Sequence, residues 1–200
     1  MITLIARLGA GLAFLAPLAA QQPTFAQVLA KFVEQAPLSL EYSYNLTGSD
    51  FHREIKGTIY LAEPAVFRLE LDDKVYAATD DLLYLHDLNT HQTVIDSLRW
   101  SELQPWVRLL NGELPTGTEV TSRDVNGKQP RFIIRPPREE WTAEATLDSL
   151  SGLISTITID DGVSELDHRI DLTIPESWVP ASRDTFFTLL DLPGVRLDLR

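Results

Sequence analysis

Apolar residues first recur along the chain at helical spacing. Phe25, Val28, Leu29, Phe32, Val33 and Ala36 lie at i, i+3, i+4, i+7, i+8 and i+11, on one face of a helix. Thr24 with Gln27 three positions on reads as a capping box, and Pro37 stops the helix. A short amphipathic helix of this kind needs an apolar surface to lie on.

From Leu38 the period changes to two. Leu40, Tyr42, Tyr44 and Leu46 alternate with Ser39, Glu41, Ser43 and Asn45. After a turn at Gly48-Ser49-Asp50, Phe51, Ile55, Ile59 and Leu61 share a face with Gly57. Beyond Glu63-Pro64, Phe67, Leu69 and Leu71 alternate with Val66, Arg68 and Glu70. A short strand at 75–78 lies between Asp72-Asp73 and Asp80-Asp81, and 82–86 with 92–96 form a further pair. The pattern is one of repeated hairpins with polar tips.

The alternation then breaks. Trp100, Leu103, Trp106, Val107 and Leu110 fall near helical spacing, and Asn111-Gly112 is a helix stop. Pro105 excludes one long helix, so the spacing predicts two short turns or a helix starting near Pro105. Further on, 119–125 and 131–135 flank Asn126-Gly127, and 143–148 and 153–160 flank a Ser-Gly turn. Strands at 168–174 and 185–190 complete the set. The predicted fold is mainly β (α+β): one antiparallel β domain with an N-terminal helix and a helical insertion in the middle.

Composition narrows the function. The 200 residues carry a formal net charge of -12, which argues against nucleic acid and against residence on an anionic membrane surface. Hydrophobic residues make up 44% of the chain, enough for a packed core. Cysteine is absent, which removes disulfides, thiolate metal sites, thiol catalysis and lipidation at an N-terminal Cys.

Residues 1–20 carry one charge, Arg7, then an apolar run and the small-residue ending Leu18-Ala19-Ala20. This is the layout of a secretory signal peptide cleaved near Ala20. It leaves 21–200 as a single exported domain, soluble and monomeric.

Searches for chemistry return little. No nucleophile elbow, phosphate loop or dinucleotide fingerprint is present. His86, Asp87 and His91 straddle a turn rather than a helix face, and the acidic doublets lack calcium-loop spacing, so turn chemistry is the reading for both. Glu139-Glu140 reads as an exposed loop. No metal, cofactor or catalytic residue is assigned, and the chain is read as a non-enzyme.

The apolar and aromatic positions stand out instead. A curved sheet closed by helices rather than by opposing strands can hold a dry apolar space for long chains. Its candidate walls are Leu40, Tyr42 and Tyr44, then Ile55, Ile59 and Leu61, then Phe67 and Leu69, with Trp100, Trp106 and Leu110 from the insertion.

The order of elements, with Gly57-Thr-Ile-Tyr-Leu-Ala-Glu-Pro64-Ala-Val-Phe67-Arg68, Thr79-Asp-Asp-Leu-Leu-Tyr84-Leu-His-Asp87 and the ending Phe187-Thr-Leu-Leu-Asp-Leu-Pro193-Gly194-Val195, resembles the periplasmic outer-membrane lipoprotein carrier family (LolA type). The resemblance covers most of the mature chain and rests on degenerate motifs. It implies an incomplete, strongly curved antiparallel β-barrel with a short helical lid, no catalysis, and shuttling of acylated lipoproteins or a related lipid. It also implies an inner-membrane lipoprotein-releasing transporter and, in some bacteria, an outer-membrane acceptor. Phe67 matches the family's apolar position after the Pro. Where the family often has a basic residue that contacts the lid, this chain has Glu63. A regulatory or structural periplasmic domain on the same scaffold, acting through protein contacts, is the alternative. A hydrolase with dispersed carboxylates ranks well below both.

Overall fold

The computed structural model describes residues 23–63, 66–79, 81–125, 129–174 and 194–199. The signal-like segment, the Asn126-Gly127 turn and the strand expected at 185–190 lie outside these residues.

Helix α1 spans Phe25–Gln35 and opens with the expected capping box. The Thr24 backbone N–H donates to Gln27 Oε1 at 2.8 Å, and the Gln27 N–H donates back to Thr24 Oγ1 at 3.3 Å. Phe25, Val28 and Phe32 are buried, so the apolar stripe is the face that packs.

Six strands follow: β1 (Leu38–Thr47), β2 (His52–Glu63), β3 (Val66–Glu70), β4 (Lys74–Thr79), β5 (Leu82–Asp87) and β6 (Gln92–Ser97). A single 3-10 turn at Trp100–Glu102 and helix α2 (Pro105–Leu110) form the insertion, with Pro105 in the first turn as its missing N–H allows. The chain returns to strands in β7 (Glu119–Val125), β8 (Gln129–Arg135), β9 (Thr142–Leu147), β10 (Ile154–Asp160), β11 (Asp167–Thr173) and β12 (Val195–Asp198).

Among the described residues these make one 12-stranded sheet, ordered β12-β6-β5-β4-β3-β2-β1-β11-β10-β9-β8-β7. Its two ends do not pair, so the barrel is incomplete. Chain order is kept through two meanders, and β1 joins them by pairing with both β2 and β11.

The sheet curls. Helix α1 packs on β2 and also meets β8, where the Phe25 and Phe132 rings lie 5.3 Å apart. Those strands are five positions apart in the sheet, which on a flat sheet is about 24 Å. An 11-residue helix is only about 16 Å long even when laid across the strands. One contiguous core therefore joins both helices to strands from each meander.

One pairing departs from the antiparallel expectation: β12 runs parallel to β6, with Val195 opposite Gln92 and Asp198 opposite Ile95. An edge strand offers free N–H and C=O groups to a partner of either direction. Parallel pairing needs only a connection of a dozen or more residues, a condition the long chain between β6 and β12 meets.

Candidate functional site

Strand register builds the site. Tyr44 pairs with Ile55, Tyr42 with Gly57 and Leu40 with Ile59 across β1 and β2. Ile59 then pairs with Leu69 and Leu61 with Phe67, and β4 sets Tyr76 beside Leu69. Directly paired residues point to the same side of a sheet, so one face carries this whole set.

A cavity of about 240 Å³ lies between that face and the insertion. Its sheet wall is Tyr44, Ile55, Phe67, Leu69, Leu71 and Tyr76. Its other wall is Leu103, Trp106 and Val107, with exposed Glu102 and Gln104 at the rim. Of the residues expected there, Tyr44, Ile55, Phe67, Leu69 and Trp106 line the cavity. Leu40, Tyr42, Ile59, Leu61 and Leu110 are buried in the surrounding core and do not line it. Trp100 packs beside the site, its ring 6.0 Å from that of Phe67. Glu63 ends β2 opposite Val66, and its side chain lies outside the described residues.

Leu71, Tyr76, Leu103 and Val107 were not among the expected lining residues. Leu71 continues the Phe67–Leu69 alternation, and Leu103 and Val107 share helical spacing with Trp106, so a signal existed for each. Tyr76 carries none, because its strand is too short to show a period.

The insertion is held at one end. Trp106, Val107, Arg108, Leu109 and Leu110 of α2 are all buried, whereas the 3-10 turn has no buried residue. Arg108, only 6% exposed, donates from Nη1 to Glu139 Oε2 and from Nη2 to Glu139 Oε1, each at 2.9 Å. The Trp141 indole N–H donates to Glu139 Oε2 as well, and the Arg108 guanidinium sits over the Trp141 ring at 5.9 Å. These hydrogen bonds, the Arg108 pair first, hold the Glu139 carboxyl below its ordinary range. This corrects the reading of Glu139 as an exposed loop residue: a buried guanidinium demands a carboxylate partner.

Beside the sheet wall, Tyr44 Oη lies 2.7 Å from His168 Nδ1, and His168 Nε2 lies 3.3 Å from Asp161 Oδ2. Burial, then the Asp161 charge, raises the Tyr44 hydroxyl pKa. Asp161 also accepts from the Val163 and Ser164 N–H groups and from Ser164 Oγ, which hold its carboxyl down at about 2. The doublet thus serves its turn. At the other pair, Asp87 accepts from the Asn89 and Thr90 N–H groups, and buried His86 bonds Thr93 at 2.8 Å. Among the described residues no three His, Asp or Glu side chains are grouped to hold a metal ion.

No protein-family model matches the sequence, and no curated protein matches it. Solved structures do. An uncharacterized conserved protein from Thermus thermophilus is similar with a TM-score of 0.51 at 10% identity, over 88% of this chain and 99% of that one. A LolA superfamily protein from Nitrosomonas europaea is similar with a TM-score of 0.47 at 10% identity, over 73% of this chain and 91% of that one. A DUF1329 family protein from Desulfovibrio piger gives 0.47 at 8% identity, over 84% and 98%. At these identities the likeness is one of fold alone.

Proposed function

We propose that the protein is a periplasmic carrier that takes acyl chains of lipoproteins, or of a related lipid, into this cavity and moves them from the inner to the outer membrane. The observation that carries the reading is the cavity itself: nine apolar or aromatic side chains wall it, and its two other lining residues, Glu102 and Gln104, are exposed. The resemblance in Gly57–Arg68 supplies the cargo class and the membrane transporter and acceptor as partners. The signal-like residues 1–20 supply the compartment.

Energetics constrain such a carrier. Each buried methylene contributes about 0.8 kcal/mol, so whole acyl chains bound in a rigid pocket would not be released. Part of that gain must be offset by exposing the apolar face of the insertion when cargo enters.

Cavity size favours a second reading. About 240 Å³ is below the roughly 300–1,000 Å³ of ordinary ligand sites. A site filled largely by its own side chains suits a regulatory or structural domain that works through protein contacts. Mass spectrometry of the protein purified from its native cells without detergent separates the two. A co-purifying acylated species, together with saturable binding of a fluorescent acyl probe, supports the carrier. Protein free of lipid that also fails to bind the probe overturns it.

A further inference from the structure

Strand β12 forms one end of the sheet, and its apolar side chains are in water. Val195, Leu197 and, just beyond the strand, Leu199 are 60%, 47% and 63% exposed and alternate with Arg196 and Asp198. The strand is nonetheless well anchored. The Val195 N–H donates to the His91 carbonyl at 3.2 Å and the Leu199 N–H to that of Ile95 at 2.9 Å. Gly194 starts it at a point where a Cβ would collide with the His91 carbonyl oxygen. Register carries the cavity face out to it: Leu197 pairs with Val94, Val94 with Leu85, and Leu85 with Tyr76 of the cavity wall. An apolar edge strand is normally avoided because it invites another strand. Strand β7, at the other end of the sheet, shows the usual protection with Glu119, Arg123 and Asp124.

We propose that two copies of this chain pair through β12, antiparallel about a two-fold axis at Leu197. That axis sets Leu197 against Leu197 of the second copy and Val195 against its Leu199, so every apolar residue of the stripe meets an apolar partner. The same register sets Arg196 opposite the second copy's Asp198. Both side chains already have contacts in their own chain, so this pair selects the register while the stripe supplies the contact. The neighbouring registers, centred on Arg196 or on Asp198, place like charges face to face. A second copy suits this edge better than an anionic lipid surface, which repels a chain of net charge -12. Three side chains from each copy bury far less than the roughly 1,200 Å² of a stable complex, so the pairing depends on concentration. A two-fold axis normal to the sheet leaves both cavity faces on the same side of one continuous sheet.

The test uses the full mature chain, which has no cysteine of its own. Leu197→Cys sets two thiols at the axis, where paired Cα atoms lie about 4.5–5.5 Å apart, within reach of a disulfide. Mild oxidation should link it into a covalent dimer. Leu199→Cys lies about 14 Å from its own counterpart in this register. It should stay unlinked alone and should link when mixed with Val195→Cys. In sedimentation, the wild-type dimer fraction should rise with concentration. Leu197→Lys should weaken the dimer at least about tenfold, the equivalent of one lost apolar side chain, with thermal unfolding like that of wild type. Should that variant fail to fold, the cysteine variants decide. A wild type that sediments as the expected monomer at every concentration overturns the inference. So does a dimer untouched by Leu197→Lys, or equal linking of Leu197→Cys and Leu199→Cys on their own.

Discussion

Arg108 and Glu139 meet end-on, two nitrogens to two oxygens at 2.9 Å, and so fasten the inserted helix to the loop between β8 and β9. The guanidinium is almost wholly buried, while the Glu139 side chain is 26% exposed. Removing one partner of a buried pair strands the other, which costs about 3–5 kcal/mol for fully buried pairs. Because one edge of Glu139 is in water, Glu139→Gln should cost about 1–3 kcal/mol, measured by urea unfolding. Arg108→Met added to it should recover part of the loss, since no charge is then stranded.

The same pair gives a pH dependence. The folded-state pKa of Glu139 is lowered, so its contribution is complete above the ordinary carboxylate value of 4.5 and is lost as pH falls through the lower folded value. Wild type should therefore lose stability on acidification below 4.5 by a component that Glu139→Gln lacks. Parallel acid titrations followed by Trp fluorescence check this.

Tyr42 reaches across Gly57 to donate its hydroxyl to the Glu70 carbonyl at 2.9 Å. A Cβ at Gly57 would collide with that carbonyl oxygen and sit 2.7 Å from the Tyr42 hydroxyl. Gly57→Ala should accordingly destabilise by about 3 kcal/mol, the upper end for overpacked core sites, because the clash is with backbone. Tyr42→Phe removes only the hydrogen bond and should cost about 1 kcal/mol. Thermal unfolding of the two variants side by side tests the ranking. Equal losses would mean that the hydroxyl, not the absent Cβ, is what matters at this crossing.

Much of this was legible because burial leaves a period. The β5–β6 hairpin lies where apolar alternation and polar tips put it, and α1 begins where Thr24 and Gln27 announce it. Strand β12 left no such trace. All four of its residues are exposed, so the alternation in Val195–Asp198 marks no face buried within the chain. The cavity was legible as a face but not as a set. Alternation says that Leu40, Ile59 and Phe67 point the same way, yet only Phe67 lies where the insertion stands off the sheet. The Arg108–Glu139 clasp has no sequence signal, because two charges 31 positions apart on different elements obey no period.

Asp161 links a surface turn to the cavity wall through His168 and Tyr44. Its carboxyl is held at about 2, below its ordinary 3.8, first by the Ser164 backbone and hydroxyl. The turn's contribution is thus complete above 3.8 and lost as pH falls through about 2. Asp161→Asn should abolish that acid-range component. At neutral pH it should also alter the near-ultraviolet signal of Tyr44 and Trp106, whose rings are 6.5 Å apart. A near-ultraviolet spectrum identical to wild type would show that the turn and the cavity wall are independent.

The two halves of the insertion should behave differently. In α2 five consecutive residues are buried. The Val107 and Arg108 N–H groups bond back to the Gln104 carbonyl, and the Asn111 N–H to that of Val107, beneath the Glu139 clasp. The 3-10 turn at Trp100–Glu102 has no fully buried residue, only half-buried Trp100, and is closed by two backbone bonds, Glu102 to Arg99 and Leu103 to Trp100. Segments with few buried contacts open first, and a helix this short persists only through its packing. Admission of a chain should then swing residues 98–103 away from Phe67 while α2 stays seated. Hydrogen exchange should show fast amides at 100–103 and slow amides at 107–111, with an acyl ligand changing only the first group. Joint exchange of both groups on one timescale would mean a single rigid lid. In that case Glu139→Gln should speed exchange across the whole insertion, whereas under the hinged arrangement it should affect α2 alone.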